Sequence, residues 1–360
     1  MQLLLALPIL AVSINPGAAA EPAREPQLAA RGSNVALVYG AGHSILFSLS
    51  RDGGKSFHAP VRVGEGPVLP LNRHRGPRIA FACAGEKECS SIVITAVTGK
   101  TLAEGAHSHG LPADGDLMAW RSNDGGKTWS GIRVNDVAGA PTEGLHSLAG
   151  GPGGRLFAVW LDKRSGKTKL YGALSNDAGL TWSKNVLIYD SPEGTICECC
   201  HPSAAFDRSG RILVMFRNWL GGSRDMYLVQ SEDGQRFGAP RKLGTGTWQL
   251  NACPMDGGGI AVSPQGIITA WRRERSLFLA RPGDPETEIG TGADVAIASG
   301  SKGTFAIWSA ADSIQALFPG DRQPRSLGAK GAFPAIAVRP SGDAIAAWEK
   351  DGGIALRILR

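Results

Sequence analysis

The chain has 360 residues, enough for one large domain or two, with 49 Gly, 22 Pro, 19% charged and 42% hydrophobic residues. The apolar content excludes a disordered chain, and so much glycine, with aromatics spread along the sequence, suits many short strands joined by tight turns. The net charge of +6 favours anionic partners, but the Lys and Arg are scattered rather than clustered, which argues against nucleic acid.

Taken in chain order, residues 1–20 read as a signal peptide. An apolar run from Leu3 to Ile14 is followed by Ala18-Ala19-Ala20, a small-residue cleavage site before Glu21, although no basic residue precedes the run. The stretch is too short for a membrane anchor, and no later segment is apolar enough to insert stably. The expected mature chain is therefore residues 21–360, periplasmic or secreted and monomeric, with its six cysteines in an oxidising compartment.

An eight-residue element then recurs. Ser50-Arg51-Asp52-Gly53-Gly54-Lys55-Ser56-Phe57 is followed by Ser122-Asn123-Asp124-Gly125-Gly126-Lys127-Thr128-Trp129, by Ser175-Asn176-Asp177-Ala178-Gly179-Leu180-Thr181-Trp182, and by the worn copy Ser231-Glu232-Asp233-Gly234-Gln235-Arg236-Phe237. In such a turn the Asp accepts hydrogen bonds from backbone N–H groups that no strand satisfies, and the aromatic buries its ring beneath. These aspartates are thus expected to be structural.

Out of phase with it run short apolar segments ending in an aromatic: Ala36-Leu37-Val38-Tyr39, Phe157-Ala158-Val159-Trp160, Leu213-Val214-Met215-Phe216, Ile268-Thr269-Ala270-Trp271, Phe305-Ala306-Ile307-Trp308 and Ile345-Ala346-Ala347-Trp348. Most follow a Gly-bearing turn and an earlier apolar run. The repeating unit is four antiparallel strands, a propeller blade, and blades must stack in a ring to bury both faces. The sequence predicts an all-β propeller of four-stranded antiparallel blades. Repeat counting gives seven units, beginning near residues 26, 77, 146, 201, 256, 293 and 333, with six as the alternative. The last unit lacks an outer strand of its own, and a strand near Gln27-Leu28-Ala29 is the candidate to close the ring.

The Asp boxes and this blade pattern together resemble the sialidase (neuraminidase) superfamily of BNR-repeat proteins over nearly all of residues 21–360. The element also marks non-catalytic receptor and assembly-factor propellers, so the resemblance bears on fold more than on activity. It implies three carboxylate-binding arginines, a Tyr nucleophile assisted by Glu, and an Asp acid/base. The first arginine would be Arg78, in Pro77-Arg78-Ile79-Ala80, which lacks the Pro that follows in the family; Arg217 and Arg272, after aromatic-ended strands, are candidates for the others. The late tyrosine is missing, since the four tyrosines are Tyr39, Tyr171, Tyr189 and Tyr227.

Strand alternation sorts the loops independently of any family. Loops entering the first strand and leaving the second share one face; first-to-second turns and Asp boxes share the other. The first face collects Arg75, Arg78, His107, His109, Glu143, His146, Asp162, Arg164, Arg217, Arg224, Asp225, Asp256, Arg272, Arg273 and Glu274, and makes a common mouth the candidate site. Arg78, Arg217, Arg224 and Arg272, with Asp256, are the expected ligand-binding set for an acidic small molecule or glycan, because guanidinium groups grip carboxylate or sulfate bidentately. Inter-blade ion pairing is the competing role. Glu143, His146 and Asp225 are the candidate acid/base residues.

Cys83 and Cys89 flank a first-to-second turn and are expected to form a disulfide. Cys197-Glu198-Cys199-Cys200-His201, with Cys253, reads two ways. The compartment favours two disulfides, one joining Cys253 to the cluster; thiolates with an imidazole also suit copper or zinc, although the spacing fits no standard zinc pattern. No other cofactor is indicated. The leading reading is an anionic-saccharide-recognising propeller with exo-glycosidase activity open; the alternatives are a non-catalytic binding or assembly propeller and a metal- or thiol-dependent protein.

Overall fold

The computed structural model describes residues 11–14, 21–83, 89–105 and 110–360. His107 and His109 lie outside the described residues. The chain forms seven four-stranded antiparallel sheets, and among the described residues the only helical element is the 3-10 turn Pro152–Gly154. The innermost strands are Ala23–Arg31, Arg78–Phe81, His146–Gly150, Ser203–Phe206, Gly259–Ser263, Ala293–Gly300 and Ala332–Val338, within a few residues of the repeat starts read from sequence. The blade number is seven.

Each blade runs outward from its inner strand. In the first, Ala23–Arg31 is followed by Asn34–Ala41, Ser44–Ser50 and Val61–Glu65. The seventh ends with Gly353–Leu359, whose free edge pairs antiparallel with Ala11–Ile14, Ala11 opposite Arg357 and Ile14 opposite Ile354. The expected closing segment is thereby corrected, because Gln27-Leu28-Ala29 belongs to the inner strand of the first blade, paired with Leu37 and its neighbours. An unpaired last strand would leave backbone groups open, and Ala11–Ile14 covers them. These residues fall inside the expected leader, so cleavage before Glu21 would uncover that edge.

The core is circumferential. Seven apolar clusters each span two neighbouring blades, from Val38, Phe47, Ile79 and Ile94 between the first and second to Tyr39, Leu37, Ile345 and Leu356 between the seventh and first. The aromatic near the end of the second strand in six of the seven blades is the recurrent filler, the second blade having none in Ile92–Thr98; Trp160 and Trp308 are fully buried. A single blade has no such cover, which is why ring closure is obligatory.

The Asp boxes act as turn staples. Asp124 Oδ1 accepts the N–H groups of Lys127 (2.9 Å) and Thr128 (3.0 Å), and its Oδ2 accepts the Thr128 hydroxyl (2.6 Å). These bonds, the Thr128 hydroxyl first, hold the Asp124 carboxyl well below its usual range. The worn copy keeps backbone bonds from Gln235 and Arg236 to Asp233 but has no hydroxyl at the matching position. Gly126 sits at φ +90° with its α-carbon against the Phe47 ring, so no side chain fits there. The boxes also bond to first-to-second turns, Gly53 N–H to Ser33 O (2.9 Å) and Gly125 N–H to Ser90 O (3.0 Å). Cys83 and Cys89 are disulfide-bonded on this face, with Cα atoms 5.5 Å apart.

Candidate functional site

At the opposite face a channel of about 220 Å³ follows the ring axis. Its wall takes residues from every blade, among them Gln27, Arg78, Ser147, His201, Gly258, Asp294 and Pro334. The local geometry there comes from a repeated irregularity. In the first, sixth and seventh blades the inner strand slips register after its first residues, between Arg24 and Gln27, Ala293 and Ala296, and Ala332 and Ala335. The bulged residues Glu25, Asp294 and Phe333 have φ of 54°, 60° and 48°, a left-handed conformation that side chains other than glycine adopt at a cost. All three reach one residue of the second blade, His74, itself at φ 67°.

His74 is the hub of the mouth. Its backbone N–H donates to Glu25 Oε1 (3.0 Å), its Nε2 meets Asp294 Oδ1 (2.9 Å), and the Phe333 ring stands perpendicular to it at 5.3 Å. The His201 ring lies over it at 4.3 Å between centroids. A second tier of contacts holds the first: Glu25 N–H donates to Glu349 Oε1 (2.8 Å), and Asp294 N–H donates to Asp256 Oδ2 (3.0 Å). Arg272 Nε approaches the same Asp256 oxygen at 3.3 Å.

The electrostatics follow from burial and pairing. Burial pushes the Glu25 carboxyl up to about 8, overcoming the opposing charges of His74 and Arg78. Burial works against a charged His74, but the hydrogen bond and charge of Asp294 outweigh it and raise the imidazole above its ordinary value. His201 is driven well below its ordinary value, by burial first and then by the His74 charge. The mouth thus favours the protonated form of His74 and the ionised form of Asp294, disfavours a charged His201, and near neutral pH keeps a proton on Glu25. Asp256 Oδ1 is buried with no hydrogen-bond partner among the described residues.

The residues singled out from sequence fare differently. Arg78 is buried and spends its donors on carbonyls, Nη1 on Pro77 O (3.0 Å) and Gly76 O (3.3 Å) and Nη2 on His74 O. Arg217, 1% exposed, donates to Asp256 O (3.1 Å), Arg224 O (2.6 Å) and Arg272 O (2.9 Å). Both stitch backbone segments together, and Arg78 also lines the channel. Arg272 donates Nη2 to Pro254 O (2.7 Å) and retains Nη1 without a partner among the described residues; Arg224 donates Nε to Leu250 O (3.2 Å) and Nη1 to Cys197 Sγ (3.2 Å).

The expected acid/base pair does not assemble. Glu143 is tied to Arg75 and Lys163. His146 is fully buried against Thr95 and Gly144 O, where burial and then the Arg78 charge push it down to about 3. Asp225 is spent on Trp248 N–H (2.8 Å) and Lys242 (2.8 Å). None of Tyr39, Tyr171, Tyr189 and Tyr227 lines the channel. Sequence reading missed Glu25, His74, Asp294 and Glu349. The available signal was positional: Glu25-Pro26 and Phe333-Pro334 occupy the same place in their units.

Cys197, Cys199 and Cys200 are buried together, with Cys197 Sγ 3.8 Å from Cys199 Sγ and 3.0 Å from Cys200 Sγ. Burial opposes ionisation of Cys197, but hydrogen bonds from Cys199 and Cys200 and the charges of Arg217 and Arg224 hold its thiol well below the usual range. Cys253 is exposed and unbridged, so the pairing of Cys253 into the cluster is not formed. His201 turns away from the sulfurs, its Nε2 at Gly258 O (3.1 Å) and its Nδ1 accepting from Gly257 N–H (3.3 Å).

No family model and no curated protein matches this sequence. Solved structures do match. An α-L-arabinanase of Penicillium chrysogenum, complexed with arabinobiose, is 12% identical over 96% of each chain with a TM-score of 0.59. A polysaccharide lyase of the ulvan lyase family is 10% identical over 95% of this chain and 94% of its own, with a TM-score of 0.55. YCF48 bound to D1 peptide is 15% identical over 99% and 98%, with a TM-score of 0.53. What these similarities show is the fold, a β-propeller of four-stranded blades. One architecture thus carries hydrolase, lyase and peptide-bound examples, and the site must decide between them. No helix among the described residues is long and apolar enough to cross a membrane.

Proposed function

We propose that this chain is an extracytoplasmic sialidase-like propeller that recognises a saccharide, or a comparable small molecule carrying an acidic group, at the His74 end of its axial channel. The observation that carries this reading is the convergence of three strained residues from three blades on the His74 imidazole at the channel wall, whose protonated form Asp294 favours. His74 on the channel wall supplies positive charge for the acidic group, supported by Arg272 behind it at Asp256. The anchoring set is therefore centred on His74, with Arg272 as the second cation. Glycoside hydrolysis is the second reading, favoured by Glu25: a carboxyl that retains its proton near neutrality is the form a general acid needs.

The test is a panel of acidic mono- and oligosaccharides, scored by calorimetry for binding and by fluorogenic derivatives for turnover. Binding that His74→Gln and Arg272→Ala each weaken at least tenfold, in variants with unchanged unfolding midpoints, is the expected result. Binding by the wild type that neither variant alters would remove the mouth from consideration. Turnover abolished by Glu25→Gln with binding retained would add the hydrolase reading.

A further inference from the structure

Beyond the saccharide reading, and independent of it, the structure points to a second site. We propose that Cys197, Cys199 and Cys200 form a three-thiolate site for a monovalent soft metal ion, Cu(I), beside the axial mouth. Three sulfurs from one short loop lie within 4.8 Å of one another, all buried. Three thiolates around a metal at about 2.3 Å bring their sulfurs to roughly 3.8–4.0 Å from each other. The Cys197–Cys199 separation of 3.8 Å already matches, and the Cys197–Cys200 separation of 3.0 Å needs to open by less than a bond length.

Charge selects the ion. A buried cluster of thiolates needs compensation; the Arg75 guanidinium also acts on Cys199 but is paired with Glu143, which leaves the guanidinium groups of Arg217 and Arg224. Arg224 donates Nη1 to Cys197 Sγ at 3.2 Å. Arg217 is fixed next to it, through its Nη1 bond to Arg224 O and the Cys197 N–H bond to its own carbonyl (3.2 Å). Three thiolates and one Cu(I) carry two negative charges, which Arg217 and Arg224 cancel. A divalent ion leaves one positive charge over, and a disulfide leaves two guanidinium groups facing at most one thiolate. Soft thiolate ligands also favour Cu(I). His201 and Cys253 are not ligands: the first is committed to Gly257 and Gly258, and the second is exposed outside the cluster.

The experiment is anaerobic titration of the reduced full chain with Cu(I) against bicinchoninate, with X-ray absorption on the loaded protein. The expected result is one Cu(I) per chain, a shell of three sulfur scatterers, loss of at least tenfold in affinity in Cys199→Ser, and no change in Cys253→Ser. Arg224→Met, which leaves every sulfur in place, is expected to lower affinity 10- to 100-fold. Should Cys199→Ser misfold, the wild-type stoichiometry and sulfur count still decide. No Cu(I) uptake by the reduced wild type, or a shell containing nitrogen in place of a sulfur, overturns the site. Saccharide binding is measured on the same samples, and its failure leaves the metal result standing.

Discussion

Replacing Arg217 separates a stitching arginine from a ligand-gripping one. The side chain is buried and its three donors serve carbonyls of three segments: the loop entering the fifth blade at Asp256, the loop between second and third strands at Arg224, and the end of a second strand at Arg272. Its guanidinium also lies 5.2 Å from the Trp248 ring centroid. A hydrogen bond to a charged group contributes about 1.5–3 kcal/mol, but the three carbonyls share one guanidinium and relax together, so a straight sum overstates the loss. Breaking a buried charged arrangement by removing one partner costs about 3–5 kcal/mol, and that range is the expectation for Arg217→Ala. Arg217→Lys, whose compact ammonium cannot span three directions, should recover less than half of it. The assay is guanidinium unfolding with the slope checked against wild type, alongside saccharide binding by the folded fraction. A loss of stability below about 1 kcal/mol together with abolished binding would refute the reasoning, because it would mean the guanidinium faces the ligand.

Three other outcomes follow from the same structure. Gly126→Ala forces a side chain into the Phe47 ring at φ +90°, and should cost about 2–4 kcal/mol in thermal or denaturant unfolding through backbone strain and overpacking. Glu25 has a folded pKa of about 8 against an ordinary 4.5, so the native state holds the extra proton between those values; the contribution is complete below pH 4.5 and stability falls as pH rises towards 8, by up to about 1.4 kcal/mol per unit. Glu25→Gln should flatten that slope in unfolding series at pH 5, 6.5 and 8. Asp294→Asn keeps a residue tolerant of the left-handed conformation but removes the charge that favours the His74 proton, so the His74 titration followed by NMR should move down; an unmoved titration would show that Asp294 is not its partner.

Much of the fold was legible because it is written in repeats. The Asp boxes mark one face by their turn chemistry, the aromatic-ended strands mark the blades, and alternation alone put Arg78, Arg217, Asp256 and the Cys197–His201 segment at one mouth, where His74, His201 and Asp256 now connect them. What alternation cannot convey is which way a guanidinium points. Arg78 and Arg217 sit where a clamp would sit, yet entering loops of neighbouring blades expose carbonyls there, and buried carbonyls must be paired. The hub was hidden for a related reason. A bulge adds a residue to one strand and re-aims a side chain, so Glu25, Asp294 and Phe333 leave the period-two pattern at the places where they matter. Closure of the ring by Ala11–Ile14 was masked by composition, since a short apolar run serves a leader and an outer strand equally well.

The strained entries bear on function as well as on legibility. Glu25, His74, Asp294 and Phe333 all hold positive φ, and residues kept in sparsely populated backbone regions cost of order 1–3 kcal/mol each. Glycine at these positions would relieve the cost and would still close the strands. It would not bring a carboxyl, an imidazole, a carboxylate and an aromatic ring to one point on the axis. The seven inter-blade clusters supply enough burial to tolerate the strain, but nothing in their packing requires it, since the third blade enters its inner strand through Gly144 at φ 70°. A mouth that served only to close the ring would need none of the four side chains, and it is the pairing of backbone cost with converging charge that makes His74, rather than the more conspicuous arginines, the centre of the site.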